Sequence, residues 1–417
     1  MPQPDAASPS SSAGSSPAGA LSVAAEFAAL LPPETLPLLT TRRWAEALTI
    51  TEPRVASPGA AARDWHAHGM TLLGLRRFIE AGAALDHGTQ LGTGEPSTQH
   101  SRTRYARMME AYALAARGQG EAAIRRLAFQ RANEVPASAG LLAAMAVRAP
   151  SSARLSHTGW DLLAVALTLG HDDIAASLAA GWEAITPGNA TARFMHAATA
   201  GEAVPPAAPA DYVREHFDHC APAFEAALVG RLGYGTPAVM RDALQAWMRA
   251  QPAPLRILDL GCGTGLSGPL FRPFAAYLAG VDLAPRMLDI AAAKGCYDRL
   301  EVGEITAFLR ASAAAPPNDL IIATDVVMYF GAIAALLEAV FGALRSGGRF
   351  GFTVEAHDAP GHRLYTTGRY KHERGWVERH AAEAGFAVMA VEKTIIRMEG
   401  GEPVAGWLFL LERPYAS

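Results

Sequence analysis

The stretch Leu255–Gly265, with the sequence LRILDLGCGTG, limits the possible folds more than any other part of the chain. A mostly apolar segment, typical of a buried β-strand, runs directly into three glycines that are separated by single residues. A glycine has no Cβ, so the backbone can approach a ligand closely, and a helix that follows directs its positive end at the same point. This pattern predicts a nucleotide-binding loop in an open α/β sheet.

From about residue 211 onward, segments typical of β-strands alternate with segments typical of helices. Such alternation is typical of an α/β domain with a largely parallel sheet. The loop MEGGEP between the last two predicted strands indicates a hairpin, so one of these two strands should run antiparallel to the others. We therefore predict a Rossmann-like α/β domain with a seven-stranded sheet. The predicted strands are Arg256–Leu260, Ala279–Leu283, Arg299–Val302, Leu320–Asp325, Arg349–Glu355, Ala387–Arg397 and Pro403–Glu412.

The residues before this domain differ from it in composition. Residues 1–20 are mainly Ser, Pro and Ala, so we expect a disordered tail. Residues 21–202 are rich in Ala and Leu at helical spacing, which predicts an all-α domain. Three helix–turn–helix segments in it resemble tetratricopeptide hairpins, and an irregular helical bundle is the alternative because their spacing departs from the usual period of about 34 residues. The Pro/Ala-rich residues 203–210 predict a linker, and residues 211–417 the α/β domain.

Charge and cysteine spacing exclude several classes of function. A net charge of −4 gives no general attraction to nucleic acids or anionic membranes, so neither is an expected partner. No uncharged apolar segment reaches the roughly 18 residues that a membrane helix needs, and no positively charged segment typical of a signal peptide precedes Arg42. The three cysteines form no CxxC pair, so we expect a protein of the reducing cytoplasm. They are Cys220, Cys262 and Cys296.

Two histidine pairs, His66 with His68 and His216 with His219, raise the question of a metal site. A zinc site needs three or four ligands at suitable spacing, and no further ligand accompanies either pair in the sequence. We therefore expect no bound metal.

The glycines alone do not identify the nucleotide. The NAD-binding pattern GxGxxG fails when it is counted from Gly261, and from Gly263 it succeeds only with its first glycine several residues beyond the strand. Asp282 lies at the end of the second strand, about 20 residues after the glycine loop, where a carboxylate can bind ribose hydroxyls in either kind of cofactor. Asp259 inside the first strand completes the pattern D-x-G-x-G-x-G and favours a cofactor other than NAD. A dinucleotide-dependent oxidoreductase stays open as the alternative.

The segments ILDLGCGTGLSG, GVDLAPRML, VGEITAFL, DLIIATDVVMYFG and LRSGGRFGFTVE resemble, in order and spacing, the motifs of class I S-adenosylmethionine-dependent methyltransferases. The likeness extends to predicted bacterial methyltransferases that carry tetratricopeptide-like repeats before the catalytic domain, through the segments YVREHFDHCAPAF and TGRYKHERGW. The resemblance implies that the protein binds S-adenosylmethionine and transfers its methyl group to an acceptor.

The resemblance also implies a role for each matching residue. The glycines form the loop under the methionine part of the cofactor, and Asp259 organises that loop and the cofactor's amino group. Asp282 binds the ribose hydroxyls, and Asp325 lies where methyl donor and acceptor meet. Glu304 lies where the family binds the adenine amine, although the family often has Asp at that position. Taken singly, these acids have plainer explanations as loop caps or helix-start residues. The implied cofactor-binding residues are Asp259, Gly261, Gly263, Gly265, Asp282, Leu283, Glu304, Ile305 and Asp325.

Methyl transfer is mainly a matter of holding donor and acceptor in line, and a general base is optional. Two stretches are candidates for the acceptor side, one with Tyr329 and one with Tyr370 and His372, and these three residues are the catalytic candidates. The second stretch, Gly361–Trp376, is basic and contains Arg369, which favours a small acceptor with a carboxylate or phosphate. The plainer alternative is a solvated loop that leads into a helix.

Two further possibilities concern the whole chain. The α/β domain can be an inert relic in a scaffold whose helical domain binds a partner, although an intact Asp259, three glycines and Asp282 argue against loss of the site. The helical domain itself is expected to bind a protein partner or a second copy of the chain.

Overall fold

The computed structural model describes most of the chain. The described residues are 32–91, 111–112, 114–132, 152–201, 204–228, 234–312, 314–399 and 402–415. The predicted disordered tail, residues 1–20, lies outside the described residues.

The described part of residues 32–201 contains α-helices and turns. The helices are α1 (Leu36–Thr40), α2 (Trp44–Val55), α3 (Ala62–Gly74), α4 (Phe78–Leu91), α5 (Gly120–Ala132), α6 (Ser152–Leu169), α7 (Asp172–Ile185) and α8 (Ala190–Ala200). Helix α3 packs on α2 and α4, and α7 packs on α5, α6 and α8. This is the helical architecture that the Ala- and Leu-rich composition predicts, whereas a true tetratricopeptide repeat stays a prediction.

Helix α8 shows how local sequence sets the ends of these helices. The side chain of Asn189 accepts a hydrogen bond from the Ala192 N–H at 2.9 Å, which caps the first turn. Gly201 ends the helix with a φ of 73°, a left-handed conformation that glycine adopts without a Cβ penalty. Together the two residues limit α8 to 11 residues.

A mixed β-sheet forms the second half of the molecule. Strands β3, β2, β1, β4 and β5 lie side by side in that order and run parallel. Strand β9 pairs antiparallel with β5 and with β8. The strands are β1 (Leu255–Leu260), β2 (Ala275–Asp282), β3 (Arg299–Val302), β4 (Asn318–Ala323), β5 (Leu344–Ala356), β6 (His362–Leu364), β7 (Tyr370–His372), β8 (Ala387–Glu399) and β9 (Glu402–Glu412).

Nine strands are therefore found in the described sheet, and the predicted count of seven is wrong. Seven of them overlap the predicted segments, and the predicted antiparallel hairpin near the C-terminus is formed by β8 and β9. The two additional strands, β6 and β7, form a hairpin, and β7 runs beside the end of β5. Each of them has three residues, too few for an alternating pattern to be recognised in the sequence.

Helices cover both faces of the sheet, as the alternation of side chains along β1 requires. Leu258 and Leu260 belong to the apolar core on one face, and Leu255 and Ile257 to the core on the other. The helices of this half are α9 (Ala210–Cys220), α10 (Phe224–Leu228), α11 (Thr236–Arg249), α12 (Gly268–Phe271), α13 (Pro285–Ala293), α14 (Ile305–Ala311), α15 (Ala334–Ala343) and α16 (Arg374–Glu383). Helices α14, α15 and α16 contribute to the first core, and α11 contributes to the second.

Residues 204–208, which we call the strap, lie in the segment predicted as a linker. The Ala208 N–H donates to the Tyr329 carbonyl at 2.8 Å, and the Gly331 and Ala332 N–H groups both donate to the Pro206 carbonyl at 2.8 Å. The strap is thus hydrogen-bonded to the loop that follows β4. A flexible linker would leave these backbone groups to water, so this part of the chain connects the two halves as a fixed element.

The hairpin β6–β7 joins the core of the helical half. Leu364 and Tyr370 are 4% and 0% exposed and belong to the same apolar cluster as Phe194 of α8. The Tyr370 hydroxyl donates to the Pro205 carbonyl at 2.6 Å, and Tyr212 of α9 packs against Phe194 with ring centroids 5.3 Å apart. Part of the sheet therefore completes the helical core.

This arrangement predicts the behaviour of a fragment that begins at Asp211. We expect it to fold, because both cores on the sheet lie within its residues, and to be less stable by about 3–6 kcal/mol, because Leu364 and Tyr370 lose their apolar cover. Denaturant unfolding of the fragment, compared with the corresponding transition of the full chain, measures the difference. The Tyr370→Phe variant of the full chain is the control, since it removes only one hydrogen bond, worth about 1 kcal/mol. A fragment as stable as the intact chain would contradict the shared core.

Candidate active site

The glycine loop lies directly after β1, at the carboxyl edge of the sheet. Gly261, Gly263 and Gly265 have φ angles of 62°, 52° and 80°, a region that side chains disfavour. A Cβ on Gly261 would lie 2.5 Å from a methyl carbon of Val326, and one on Gly265 would lie 3.0 Å from the Cβ of Ala291. These positions require glycine for backbone conformation and, at two of the three, for space.

Asp282 ends β2 beside this loop. Its Oδ2 accepts a hydrogen bond from the Gly263 N–H at 2.9 Å, and its Oδ1 accepts one from the Ala284 N–H at 2.9 Å. Burial raises the pKa of Asp282, and these backbone donors act against that shift. The carboxylate therefore ties the glycine loop to the start of α13. Each oxygen retains a further lone pair for a ligand.

Asp259 lies within β1 and is 1% exposed. Its Oδ2 accepts a hydrogen bond from the Tyr297 hydroxyl at 2.7 Å, whereas its Oδ1 is buried and has no hydrogen-bond partner among the described residues. Burial raises the pKa of Asp259 to about 7 and the neighbouring Asp282 adds to this rise, although the Tyr297 and Ser267 hydroxyls lower the pKa. A buried acceptor without a partner, in a carboxyl that titrates near neutral pH, is suited to a cationic donor.

Tyr297 is a site residue that the sequence analysis missed. Besides its bond to Asp259, its ring lies against Gly265 and Gly268, where an added Cβ would come within 3.0 and 2.7 Å of it. Neither spacing nor a motif marks this tyrosine in the sequence. Only the packing of the loop before β3 under the glycines reveals its role.

Glu304 and its neighbours lie at the carboxyl edge of β3. Both carboxylate oxygens of Glu304 accept hydrogen bonds from backbone N–H groups of α14, from Thr306 at 3.0 Å and from Ala307 at 2.7 Å. The plainer explanation, a helix-start acid, describes what this side chain does here. Ile305 is 7% exposed, and Leu283, directly after β2, is half-buried at the same edge.

Asp325 follows β4 and marks the other side of the site. It has a φ of 58°, which is rare for a residue with a side chain and costs free energy that the surroundings must offset. Its N–H donates to the Thr353 hydroxyl at 3.0 Å, and both carboxylate oxygens lie 3.1 Å from Nη1 of Arg397. Burial raises the pKa of Asp325, and the Arg397 guanidinium lowers it. The strained position is fixed by this ion pair.

Asp325 belongs to a partly buried set of charges that we call the charged network: Asp325, Glu355, Arg369, Lys371 and Arg397. Arg397 and Glu355 are 4% and 1% exposed and form an ion pair through Nη2 and Oε1. Arg369 Nε lies 3.0 Å from the same Oε1, and Lys371 Nζ lies 3.9 Å from Oε2. Among these five residues, three are cationic and two are carboxylates.

Glu355 and Arg397 were also missed, and for them the sequence holds a signal. Each is a single charged residue in an apolar strand segment, FTVEA in β5 and TIIRM in β8. A charge at such a position is expensive to bury without a partner. The two can therefore be suspected as partners, but only the sheet brings β5 and β8 to one place.

The three catalytic candidates lie in different surroundings. Tyr370 is fully buried and donates its hydroxyl proton to the Pro205 carbonyl. His372 is also 0% exposed, Nε2 lies 2.8 Å from the Phe330 carbonyl, and burial lowers its pKa to about 4. These positions favour structural roles for both side chains. Tyr329 is half-buried beside the charged network, where burial raises its pKa and Arg369 lowers it.

A further tyrosine lies on this side of the site. The Tyr234 hydroxyl hydrogen-bonds to Thr324, and the neighbouring Asp325 adds to the rise in the Tyr234 pKa that burial causes. The segment before it, α9 and α10, covers α13: Asp218 Oδ1 accepts from the Arg286 N–H at 2.9 Å. In the sequence this segment shows only the family resemblance and predicts no contact. In the structure it lies over the edge of the site.

The described residues contain no group of three or more His, Cys, Asp or Glu side chains placed to hold a metal ion. Among their helices, none has the length and apolarity that a membrane span requires.

Residues 258–350 match the family described as a methyltransferase domain. The chain contains a methyltransferase domain. Methyltransferase-like protein 27 of Homo sapiens is 38% identical over 87 residues, which cover 21% of this chain and 35% of that protein. The 18S rRNA (guanine-N(7))-methyltransferase of Bos taurus is 43% identical over 49 residues, 12% of this chain and 17% of that one. The chain thus spans about a third or less of the length of these curated relatives.

Solved structures align with the chain over about half of its length. The magnesium protoporphyrin IX methyltransferase of Synechocystis PCC 6803 with bound SAH covers 49% of this chain and 99% of its own, at 16% identity and a TM-score of 0.39. The 1,6-didemethyltoxoflavin-N1-methyltransferase of Burkholderia thailandensis covers 51% and 93%, at 19% identity and a TM-score of 0.40. The assignment of the methyltransferase domain rests on the sequence match over residues 258–350.

The glycine loop predicts different costs for two glycine substitutions. Gly261→Ala should destabilise the domain by about 2–4 kcal/mol, because it adds a clash with Val326 to the cost of a positive φ. Gly295→Ala is the matched control: its φ is 64°, but no atom lies within 4 Å of the added Cβ, so it should lose only about 1–2 kcal/mol. Free energies of unfolding in urea measure both. Equal losses would show that Val326 does not enclose the loop.

Proposed function

We propose that this protein is an S-adenosylmethionine-dependent methyltransferase that acts on a small anionic acceptor. The observation that carries the proposal is the buried Oδ1 of Asp259 beside the glycine loop, which has no hydrogen-bond partner among the described residues and lies within the segment that matches the methyltransferase family. The cofactor's ammonium group supplies the cationic donor that this carboxylate lacks, and binding it stabilises the ionised form of a carboxyl whose pKa is about 7.

The residues present fit the cofactor. Gly261, Gly263 and Gly265 give its methionine part access to the backbone, and Asp282 offers its remaining lone pairs to the ribose hydroxyls. Leu283 and Ile305 supply apolar surface for the adenine at the edge of β2 and β3. The carboxylate of Glu304 caps α14, so we assign the adenine amine to backbone groups at Glu304 and Ile305 rather than to that carboxylate.

When bound, the cofactor supplies a methyl group on a sulfonium, which is already a good leaving group. The protein's own contribution is then to place the acceptor in line and exclude water. Asp325 and Tyr329, directly after β4, lie on the acceptor side in this proposal. Tyr329 is the residue that we favour as positioning group, since Tyr370 and His372 are hydrogen-bonded and fully buried.

The charged network supports an anionic acceptor. Its more exposed cationic groups are Arg369 and Lys371, whose side chains are 18% and 30% exposed, while Arg397 is held by Asp325 and Glu355. A carboxylate or phosphate on the acceptor would form charge-assisted hydrogen bonds with such groups. The low exposure of the network favours a small molecule over a folded protein as the acceptor.

The cofactor assignment predicts the affinity of one variant. Asp282→Ala should bind S-adenosylmethionine about 10- to 100-fold more weakly, because the charge-assisted hydrogen bonds to the ribose are lost. Isothermal titration calorimetry measures it, with Asp289→Ala on the exposed face of α13 as the control that keeps full affinity. Binding of NAD instead would favour an oxidoreductase. No binding of either would leave a scaffold with a relic domain.

The acceptor assignment predicts where the methyl group goes. Incubation with methyl-labelled cofactor and a cell extract should label small molecules rather than protein. Arg369→Gln should lower that labelling about 10- to 100-fold through loss of a charged contact, with cofactor affinity unchanged. Arg379→Gln, an exposed arginine of α16, should behave as the unmodified protein. Label that is confined to the protein fraction would overturn the acceptor class and leave the cofactor assignment intact.

A further inference from the structure

A cavity of about 430 Å³ opens at the amino-terminal edge of the sheet, away from the glycine loop. It lies where β1, β2, β4 and β5 begin and where α14 and α15 end. Arg256 at this edge and Gly261 are five residues apart along β1, which corresponds to roughly 17 Å. The cavity is therefore separate from the site described above, and nothing in the proposed function uses it.

The inner wall of this cavity is apolar. Leu258, Ala279, Leu309 and Leu344 line it and are 4%, 7%, 2% and 0% exposed. They belong to the core on that face of the sheet. Such a wall can contact a hydrocarbon or aromatic group, whose own apolar surface is then removed from water.

The outer part of the cavity is basic. Arg256, Arg299, Arg345 and Arg413 line it. Arg345 pairs with Asp319 and Arg299 pairs with Glu301. Arg413 donates to the Phe341 and Leu344 carbonyls at 2.9 and 2.7 Å, which are neutral acceptors. Two of the four positive charges thus have a carboxylate partner.

Among these four arginines, Arg256 has the fewest hydrogen bonds and ion pairs at its guanidinium within the described residues. Its guanidinium carbon lies 4.1 Å from the ring centroid of Tyr277, which also lines the cavity. Its Nε is buried without a hydrogen-bond partner in the described residues, and no ion pair to its guanidinium is found there. Stacking on the ring orients the guanidinium and leaves its hydrogen-bonding capacity for a planar anionic group.

We propose that this cavity binds a small amphiphilic anion, with an aromatic or aliphatic body on the apolar wall and one acidic head group at Arg256. The apolar depth, the basic opening and the unbalanced charge each point to that class of ligand. A simple inorganic anion would make no contact with the apolar wall, and a neutral apolar compound would leave Arg256 without an acceptor. The proposal holds whether or not the chain is a methyltransferase.

The test uses 8-anilinonaphthalene-1-sulfonate, an aromatic sulfonate whose fluorescence rises in an apolar environment, and the full-length protein. We expect saturable binding of one molecule per chain that weakens with salt. Arg256→Gln should weaken it about tenfold or more, because the head group loses its cation. Gly342→Leu should abolish it: Gly342 lines the cavity, and no atom lies within 4 Å of an added Cβ, so the new side chain fills open space.

Two matched controls and one competitor make the test decisive. Two control variants should bind the probe as the unmodified protein does. Arg310→Gln changes an exposed arginine that lies on α14 but outside the cavity. Gly82→Leu changes a glycine that also has open space at its Cβ. Excess S-adenosylhomocysteine should not displace the probe. The proposal is overturned by absent or unsaturable binding, by displacement with S-adenosylhomocysteine, or by equal affinity in Arg256→Gln. Arg256→Gln decides the question if Gly342→Leu does not fold.

Discussion

The two hydrogen bonds that Asp282 accepts hold the carboxyl edge of the sheet together. One comes from Gly263 in the loop after β1 and the other from Ala284 at the start of α13. Because β1 and β2 are neighbours in the sheet, one carboxylate reaches both segments. The left-handed glycines gain their fixed shape from this contact. The same carboxylate can then serve a ligand with its remaining lone pairs.

Around this edge the protein keeps features that cost stability. Asp259 is buried with an oxygen that has no partner in the described residues, and Asp325 has a φ of 58°. Buried ion pairs such as Arg397 with Glu355 often contribute little net stability, because both charges lose water. Costs of this kind concentrate at functional sites. Here they lie on the two sides of one edge, Asp259 on the cofactor side and Asp325 on the acceptor side of the proposed reaction.

The helical half is connected to this edge of the sheet through the strap and the hairpin β6–β7. The strap bonds to residues 329–332, directly after Asp325, and Tyr370 joins the helical core to the hairpin that also carries Lys371. The loop with Tyr329 is thus fixed from the helical side, whereas the glycine loop is fixed from within the sheet. A change in the helical half would therefore reach the acceptor side first. This gives the helical domain a structural role without requiring a second partner.

The sequence by itself determined seven strands of the sheet and the glycine loop. Alternating apolar strands and helices are local patterns, and D-x-G-x-G-x-G followed by Asp282 fixes which strand carries the nucleotide loop. Only the tertiary structure decided the partners of charged and aromatic residues. Tyr297 with Asp259, and Arg397 with Asp325 and Glu355, are pairs between strands or loops far apart in the chain. Tyr370 and His372 are catalytic candidates by sequence, but their burial and their hydrogen bonds to backbone carbonyls favour structural roles. The physical reason is that backbone propensity is encoded within a few residues, whereas burial and charge pairing arise when distant segments meet in the fold.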